Sequence, residues 1–105
     1  MGETLKLSYT AALVLQTISS GYNYGFDIMD VTGLPSGTVY PTLRRLEQQE
    51  LIKSSWETQH NALAEQRPAR KYYRLTREGK ETLGNAVQRY ALLDRLINAE
   101  KSKRL

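Results

Sequence analysis

The side chains of this 105-residue chain best equipped for chemistry are guanidiniums and carboxamides rather than nucleophiles. In "PSGTVYPTLRRLEQQELI" (Pro35 to Ile52), Pro41 is followed by Arg44 and Arg45, with Gln48 one turn beyond Arg44. A guanidinium forks two N–H bonds onto a phosphate or a guanine edge, and a carboxamide matches the donor and acceptor of an adenine edge. A second basic stretch, "RPARKYYRLTR" (Arg67 to Arg77), holds Arg67, Arg70, Lys71, Arg74 and Arg77 with no acid between them, the pattern of a polyanion contact. The single histidine, His60, stands in a polar stretch without a constellation of Asp, Glu or Cys. No Gly-rich phosphate loop and no metal-ligand spacing is present. Enzyme, metal and cofactor chemistry are therefore not expected.

Charge is distributed unevenly. The net charge is +4, and residues 1–35 contribute −2, residues 36–77 contribute +4 and the remainder +2. A chain of this length suits one small domain with a thin core, which gains from pairing with a second copy. With no cysteine, stability cannot come from disulfides, and an intracellular, cytoplasmic setting is the simpler expectation. The longest apolar run, Ala11 to Leu15, is far short of the roughly 20 residues that cross a bilayer, so no membrane partner is expected.

These side chains need elements to aim them. Ser8 can cap a first helix whose apolar stripe is Ala11, Val14, Leu15 and Ile18, with Leu7 stapled against Ala12. The helix should stop near "SSGYNYG". A second helix, from about Tyr24 to Thr32, carries Phe26, Ile28, Met29 and Val31 as its apolar members and ends at Gly33. Pro35 and Ser36 form the turn into a third helix, with Ser36 expected as its N-cap. The period then changes: Ile52, Ser54 and Trp56 alternate with Lys53, Ser55 and Glu57, and Lys71, Tyr73 and Leu75 with Arg70, Tyr72 and Arg74. The polar residues 58–69 between them, with Pro68, are expected as a long hairpin loop.

A last helix is expected from an N-cap at Thr76 to about Lys101, roughly 37 Å at about 1.5 Å per residue. Leu83, Ala86, Tyr90, Leu93 and Ile97 repeat at spacings of three and four, and Val87 widens the stripe. This seam fits pairing with another helix, so a homodimer is expected through Leu83, Ala86, Val87, Tyr90, Leu93 and Ile97. The expected division is a DNA-binding domain over 1–76 and a dimerisation helix over 77–105. The fold class is mainly α with a small β-hairpin.

At 100° per residue, Val39, Leu43 and Leu46 share the core face of the third helix. Gly37, Pro41, Arg44 and Gln48 lie on the opposite side, flanked by Tyr40 and Arg45. A proline costs a regular helix interior about 3 kcal/mol, which Gly37 relieves by letting the first turn loosen. The slim leading end that results suits a DNA major groove, about 12 Å wide. Ser36, Gly37 and Thr38 then offer hydroxyls and first-turn N–H groups to a phosphate, Tyr40 a positioning hydroxyl, Arg44 a fork for a guanine edge or a phosphate, and Gln48 a contact to an adenine edge. Arg67, Arg70 and Lys71 would follow phosphates or enter a neighbouring minor groove.

The order of three helices, strand, loop and strand is that of a winged helix-turn-helix. "GYNYGFDI" (Gly21 to Ile28), "PSGTVYPTLRRLEQQELI" and "RPARKYYRLTREG" (Arg67 to Gly79) resemble, in order and spacing, the signature segments of the PadR family of bacterial transcription regulators. The resemblance implies a winged-helix domain that binds double-stranded DNA, a dimer built by the C-terminal helix and, usually, repression of a nearby promoter. It implies that Tyr40, Pro41 and Arg44 belong to the recognition helix and that Arg67, Arg70 and Lys71 belong to the wing. Some members of the short subgroup hold flat aromatic effectors with a tryptophan of the last helix. Here that helix has Tyr90, and the sole tryptophan, Trp56, is read as a packing residue on the first wing strand, so a small-molecule effector stays unassigned. "EQRP" stands where "GRP" is common. The competing reading is a winged-helix module that has given up DNA for a protein partner.

Overall fold

The computed structural model describes residues 6–103. Along the chain it contains α1 (Tyr9–Ser19), α2 (Gly25–Thr32), α3 (Ser36–Gln48), β1 (Ile52–Trp56), α4 (Gln59–Ala64), β2 (Lys71–Leu75), α5 (Arg77–Arg89) and α6 (Ala91–Lys103). Helix α1 is the central element, packed against α2, α3, α5 and β2. The Ser8 hydroxyl oxygen accepts from the Ala11 N–H at 3.1 Å, satisfying one free donor of the first turn. Ala11, Val14, Leu15 and Ile18 are buried as their spacing requires, and so is Ala12 beside them. With Ile28, Val39, Leu43, Leu46 and Ile52 they form the core.

Helix α2 stops at Gly33, whose φ of +75° is left-handed backbone that glycine adopts without a Cβ clash. Of its four expected apolar members only Ile28 is buried, and Met29 packs half-buried against the core. Phe26 and Val31 face outward, because eight residues present one narrow stripe and α1 and α3 both meet it on the Ile28 side. Pro35, at φ −74° and ψ 161°, occupies the cap position of α3, and Ser36 is the first helical residue rather than the N-cap. The extended Pro35 turns its carbonyl onto the helix, where it accepts from both Thr38 N–H (2.9 Å) and Val39 N–H (3.0 Å). That shared acceptor tightens the first turn, and α3 then continues through Pro41.

Strands β1 and β2 pair antiparallel, from Ile52 opposite Leu75 to Trp56 opposite Lys71. The connection between them is not a plain loop. It contains α4, capped by the Thr58 hydroxyl on the Asn61 N–H at 3.1 Å and anchored by buried Ala62. Six residues are too few to display a helical period in sequence.

Thr76 caps α5, accepting from the Gly79 N–H at 3.0 Å while donating to the Glu50 carbonyl at 2.7 Å. Gly79 lies so close to the Leu51 carbonyl oxygen that a Cβ there would overlap it. This junction binds the start of α5 to the corner between α3 and β1, and so sets the wing relative to α3.

The expected single C-terminal helix is divided. Tyr90 takes an extended conformation, φ −112° and ψ 106°, and α6 turns back over the body. The Tyr90 hydroxyl donates to the Leu7 carbonyl at 2.8 Å, the Tyr90 ring meets Tyr9 edge-on at 5.2 Å, and Leu93 is completely buried. The apolar seam finds a partner in its own chain: Leu83, Ala86 and Leu93 join the core, and Val87 and Tyr90 pack on it. Three helices with a two-stranded wing make a winged helix-turn-helix. No helix among the described residues is long and apolar enough to cross a membrane.

Candidate nucleic-acid interface

Helix α3 has two unlike sides. Val39, Thr42, Leu43 and Leu46 are buried, whereas Gly37, Tyr40, Pro41, Arg44, Arg45 and Gln48 are all exposed, as the helical period requires. Ser36 is exposed and Thr38 half-buried at the amino end. Space around Gly37 is open, so the leading edge of the helix is as slim as its sequence suggests.

Between α3, the start of α2 and the wing lies a cleft of about 640 Å³. Of the residues expected to make the site, Tyr40, Arg44, Arg67, Arg70 and Lys71 all line it. Gln48, Arg45, Pro41 and Gly37 lie along the rest of the outward α3 surface. The residues expected to form a dimer seam sit elsewhere, on α5 and α6.

The wing is tied to the trihelical body through "GYNYG". Tyr73 N–H donates to the Asn23 carbonyl at 2.8 Å, and Tyr24 forms an isolated bridge with Tyr72, the two rings edge-on at 5.8 Å. The Arg70 guanidinium lies 4.1 Å from the centre of the Tyr24 ring, which holds its charge at the cleft wall. Gly25 permits the Tyr40 ring to lie directly on α2, since a Cβ at that position would collide with the phenol. Tyr40 is thus positioned by packing, with 40 % of its surface exposed.

The cationic side chains are not equivalent. Arg67 forms a forked pair with Glu57, at 2.5 and 2.8 Å, and Glu57 also accepts from the Arg70 N–H at 3.2 Å. The Arg67 hydrogen bonds, helped by that backbone donor, lower the Glu57 carboxyl to about 2, against a smaller opposing effect of burial. Arg67 is in turn held even more firmly cationic by Glu57. Its guanidinium therefore serves to fix the loop after β1, and it is less available to a phosphate than its charge suggests.

Lys71 Nζ stands 3.8 Å from Glu47 Oε1, while Glu47 Oε2 accepts from Ser54 at 2.5 Å. Burial raises the Tyr73 phenol above its ordinary value, with the Glu47 charge adding to the effect, so this ring stays a neutral wall. Among the described residues, Arg44 and Arg70 are the cleft cations with no carboxylate within ion-pair distance.

Several residues of this surface escaped the sequence reading. Trp56 is 68 % exposed and lines the cleft, so it is not a packing residue: it lies at the far end of β1, where the strand has left the core that buries Ile52. Phe26 also lines the cleft, at 73 % exposed. The alternation of β1 does place Trp56 on the face of Ile52 and Ser54, but a period cannot say how far along a strand the core extends. Tyr24 and Gly25 stood in a segment read as a turn and helix start.

The model of the PadR-like transcriptional regulator family matches residues 14–85, more than half of the chain. A PadR family transcription regulator from hypervirulent Clostridium difficile is similar at 29 % identity with a TM-score of 0.69, over 88 % of this chain and 97 % of that one. A transcriptional regulator from Clostridium thermocellum matches at 25 % identity and a TM-score of 0.64, over 87 % and 88 % of the two chains. A PadR-like transcription factor from Bacteroides fragilis matches at 27 % identity and 0.58, over 86 % and 90 %. Comparison with curated proteins returned no match. The family model spans α2, α3 and the wing, which are the elements that build the cleft, and the chain belongs to the PadR-like family of transcriptional regulators.

Proposed function

We propose that this protein is a sequence-specific double-stranded DNA-binding regulator, acting in the cytoplasm as a homodimer on a palindromic operator, most simply as a repressor. The observation that carries the reading is the coincidence on one side of the molecule of the exposed α3 row, Gly37, Pro41, Arg44 and Gln48, with the cations Arg44, Arg70 and Lys71 of the cleft. In this reading α3 enters the major groove and Ser36, Gly37 and Thr38 meet a phosphate. Arg44 and Gln48 read base edges while Arg45, Arg70 and Lys71 follow the backbone.

Pairing is assigned to residues 77–105, with 1–76 carrying the DNA face. Leu92 and Leu96 of α6 are 50 % and 42 % exposed, and with Tyr9, Leu13 and Val31 they line an apolar groove of about 420 Å³, the sort of surface a second copy would cover. In the fold described here Leu83, Ala86 and Leu93 are spent on the chain's own core. A seam that uses them requires α5 and α6 to give up that packing, whereas Val87, Tyr90 and Ile97 keep part of their surface. No cofactor is assigned, and an effector has no assigned site.

Selection of bound sequences from random duplex DNA at moderate salt tests binding, specificity and symmetry together. The expected product is a palindrome with half-sites about one helical turn, near 34 Å, apart. In the same assay Arg70→Ala should weaken binding to every sequence and reduce the salt slope by about one, and Arg44→Ala should also relax sequence preference. A pool with no enrichment would favour the other reading, a protein-docking module, to which the exposed Phe26 and Trp56 rings would then belong.

A further inference from the structure

The cleft beside α3 displays more aromatic surface than a phosphate contact requires. Trp56 and Phe26 line it while mostly exposed, so neither contributes much to the core. Large rings left open to water at a functional cleft are a common mark of a binding surface. These two are bracketed by charge. Lys71 Nζ is 5.8 Å from the centre of the Trp56 ring, and Arg44 and the Arg70–Tyr24 pair line the same cleft.

If α3 occupies the major groove and the wing meets the duplex beyond it, the strand that separates those two contacts has to pass between α3 and the wing. That space is the cleft. A DNA strand alternates anionic phosphates with deoxyribose rings, whose carbon faces are apolar. The lining likewise sets cations beside aromatic rings, Arg70 on Tyr24 and Lys71 by Trp56, with one carboxylate, Glu47, 3.8 Å from Lys71 Nζ. We propose that the cleft takes a deoxyribose–phosphate unit of the bound duplex, with its phosphate held by Arg70 and Lys71 and its sugar face laid against Trp56. Phe26 closes the side formed by α2. Trp56 is thus a DNA-contacting residue, and its contribution is independent of base sequence. The inference rests on the DNA-binding reading above and goes beyond it by assigning an apolar contact to the wing.

Trp56 is the only tryptophan of the chain, so its fluorescence reports on the cleft without interference from another indole. The full chain is titrated with the selected duplex at fixed salt, beside Trp56→Ala and Trp56→Phe variants whose thermal midpoints are measured in parallel. Saturable change in Trp56 emission is expected at the affinity seen by a separation assay. The Trp56→Ala variant should bind about tenfold more weakly, the scale of an aromatic face withdrawn from an interface. Its dependence of affinity on salt should stay that of the wild type, because no charge has been removed. Trp56→Phe should recover most of the loss. Should Trp56→Ala prove unstable, the wild-type emission titration decides. Normal duplex binding with unchanged emission, or with Trp56→Ala as tight as the wild type at the same midpoint, overturns the inference and leaves the DNA-binding reading intact. Failure of the wild type itself to bind any duplex overturns that reading, and this inference falls with it.

Discussion

Two corners of this molecule turn a helix by opposite means. Between α2 and α3 the chain stops and restarts on local chemistry: Gly33 takes the left-handed conformation at φ +75°, and Pro35 sits extended at the head of α3. Between α5 and α6 no glycine or proline is present, and "VQRYALLDRL" (Val87 to Leu96) reads as continuous helix. The break at Tyr90 is held from a distance, by a hydroxyl bond to Leu7, an edge contact with Tyr9 and burial of Leu93. A corner written into the backbone persists whatever surrounds it. A corner held by distant contacts lasts only while those contacts outweigh the tendency of the segment to run straight. The first kind aims α3, the element that must keep one orientation, and the second governs α6, the element assigned to pairing.

The strongest challenge to this contrast is Leu93→Ala. Removing a fully buried leucine should cost about 3 kcal/mol. If the corner is held from afar, hydrogen exchange should show the loss first in α6, with α1 to α3 still protected. Uniform loss of protection would mean that α6 is a full part of the core. Gly33→Ala should cost roughly 1–2 kcal/mol, because a Cβ is disfavoured at that left-handed φ, and here the whole domain should be destabilised in chemical denaturation. A variant as stable as the parent would show that the corner does not depend on its glycine.

Tyr90→Phe is expected to be milder. It deletes one hydrogen bond, worth about 1 kcal/mol, and keeps the ring against Tyr9. The effect should appear as faster exchange in α6 alone. Smallest is the pH response of the wing. Glu57 is held at about 2 in the folded protein and has an ordinary value of 4.5 when unfolded. A depressed folded value means that its contribution is fully present above the ordinary value and is lost as pH falls from there toward 2. Carboxyl NMR titration should find Glu57 still ionised at pH 3, and Glu57→Gln should flatten the acid limb for the 58–70 segment while leaving α1 to α3 unchanged. A Glu57 that titrates normally would show the Arg67 pair to be open in solution.

Much of the surface formed by α3 and the wing was legible in sequence because its causes are short in range. Ser8 and Thr76 cap the helices that follow them, and the 100° period of α3 separates Val39, Leu43 and Leu46 from Pro41, Arg44 and Gln48. Strand alternation found both β1 and β2, and their pairing brought Arg67, Arg70 and Lys71 to the side of Arg44. What escaped depends on neighbours. The pairing of Arg67 with Glu57 joins residues across the hairpin base, and either side chain alone reads as solvated charge. Helix α4 was hidden because one and a half turns show no period, and Trp56 was misjudged because alternation gives a face without giving the extent of the core.

The sequence by itself determined the starts of α1, α2 and α5, the paired strands, the cationic middle of the chain and the outward row of α3, since caps, turn residues and periodicity act within a few residues of where they stand. Only the tertiary structure decided that the C-terminal segment bends at Tyr90, that Arg67 is committed to Glu57, and that Trp56 and Phe26 open onto the cleft. The physical reason is that each of these outcomes is a competition between a local preference and a contact with a residue distant in the chain, and the contact exists only after the core has closed.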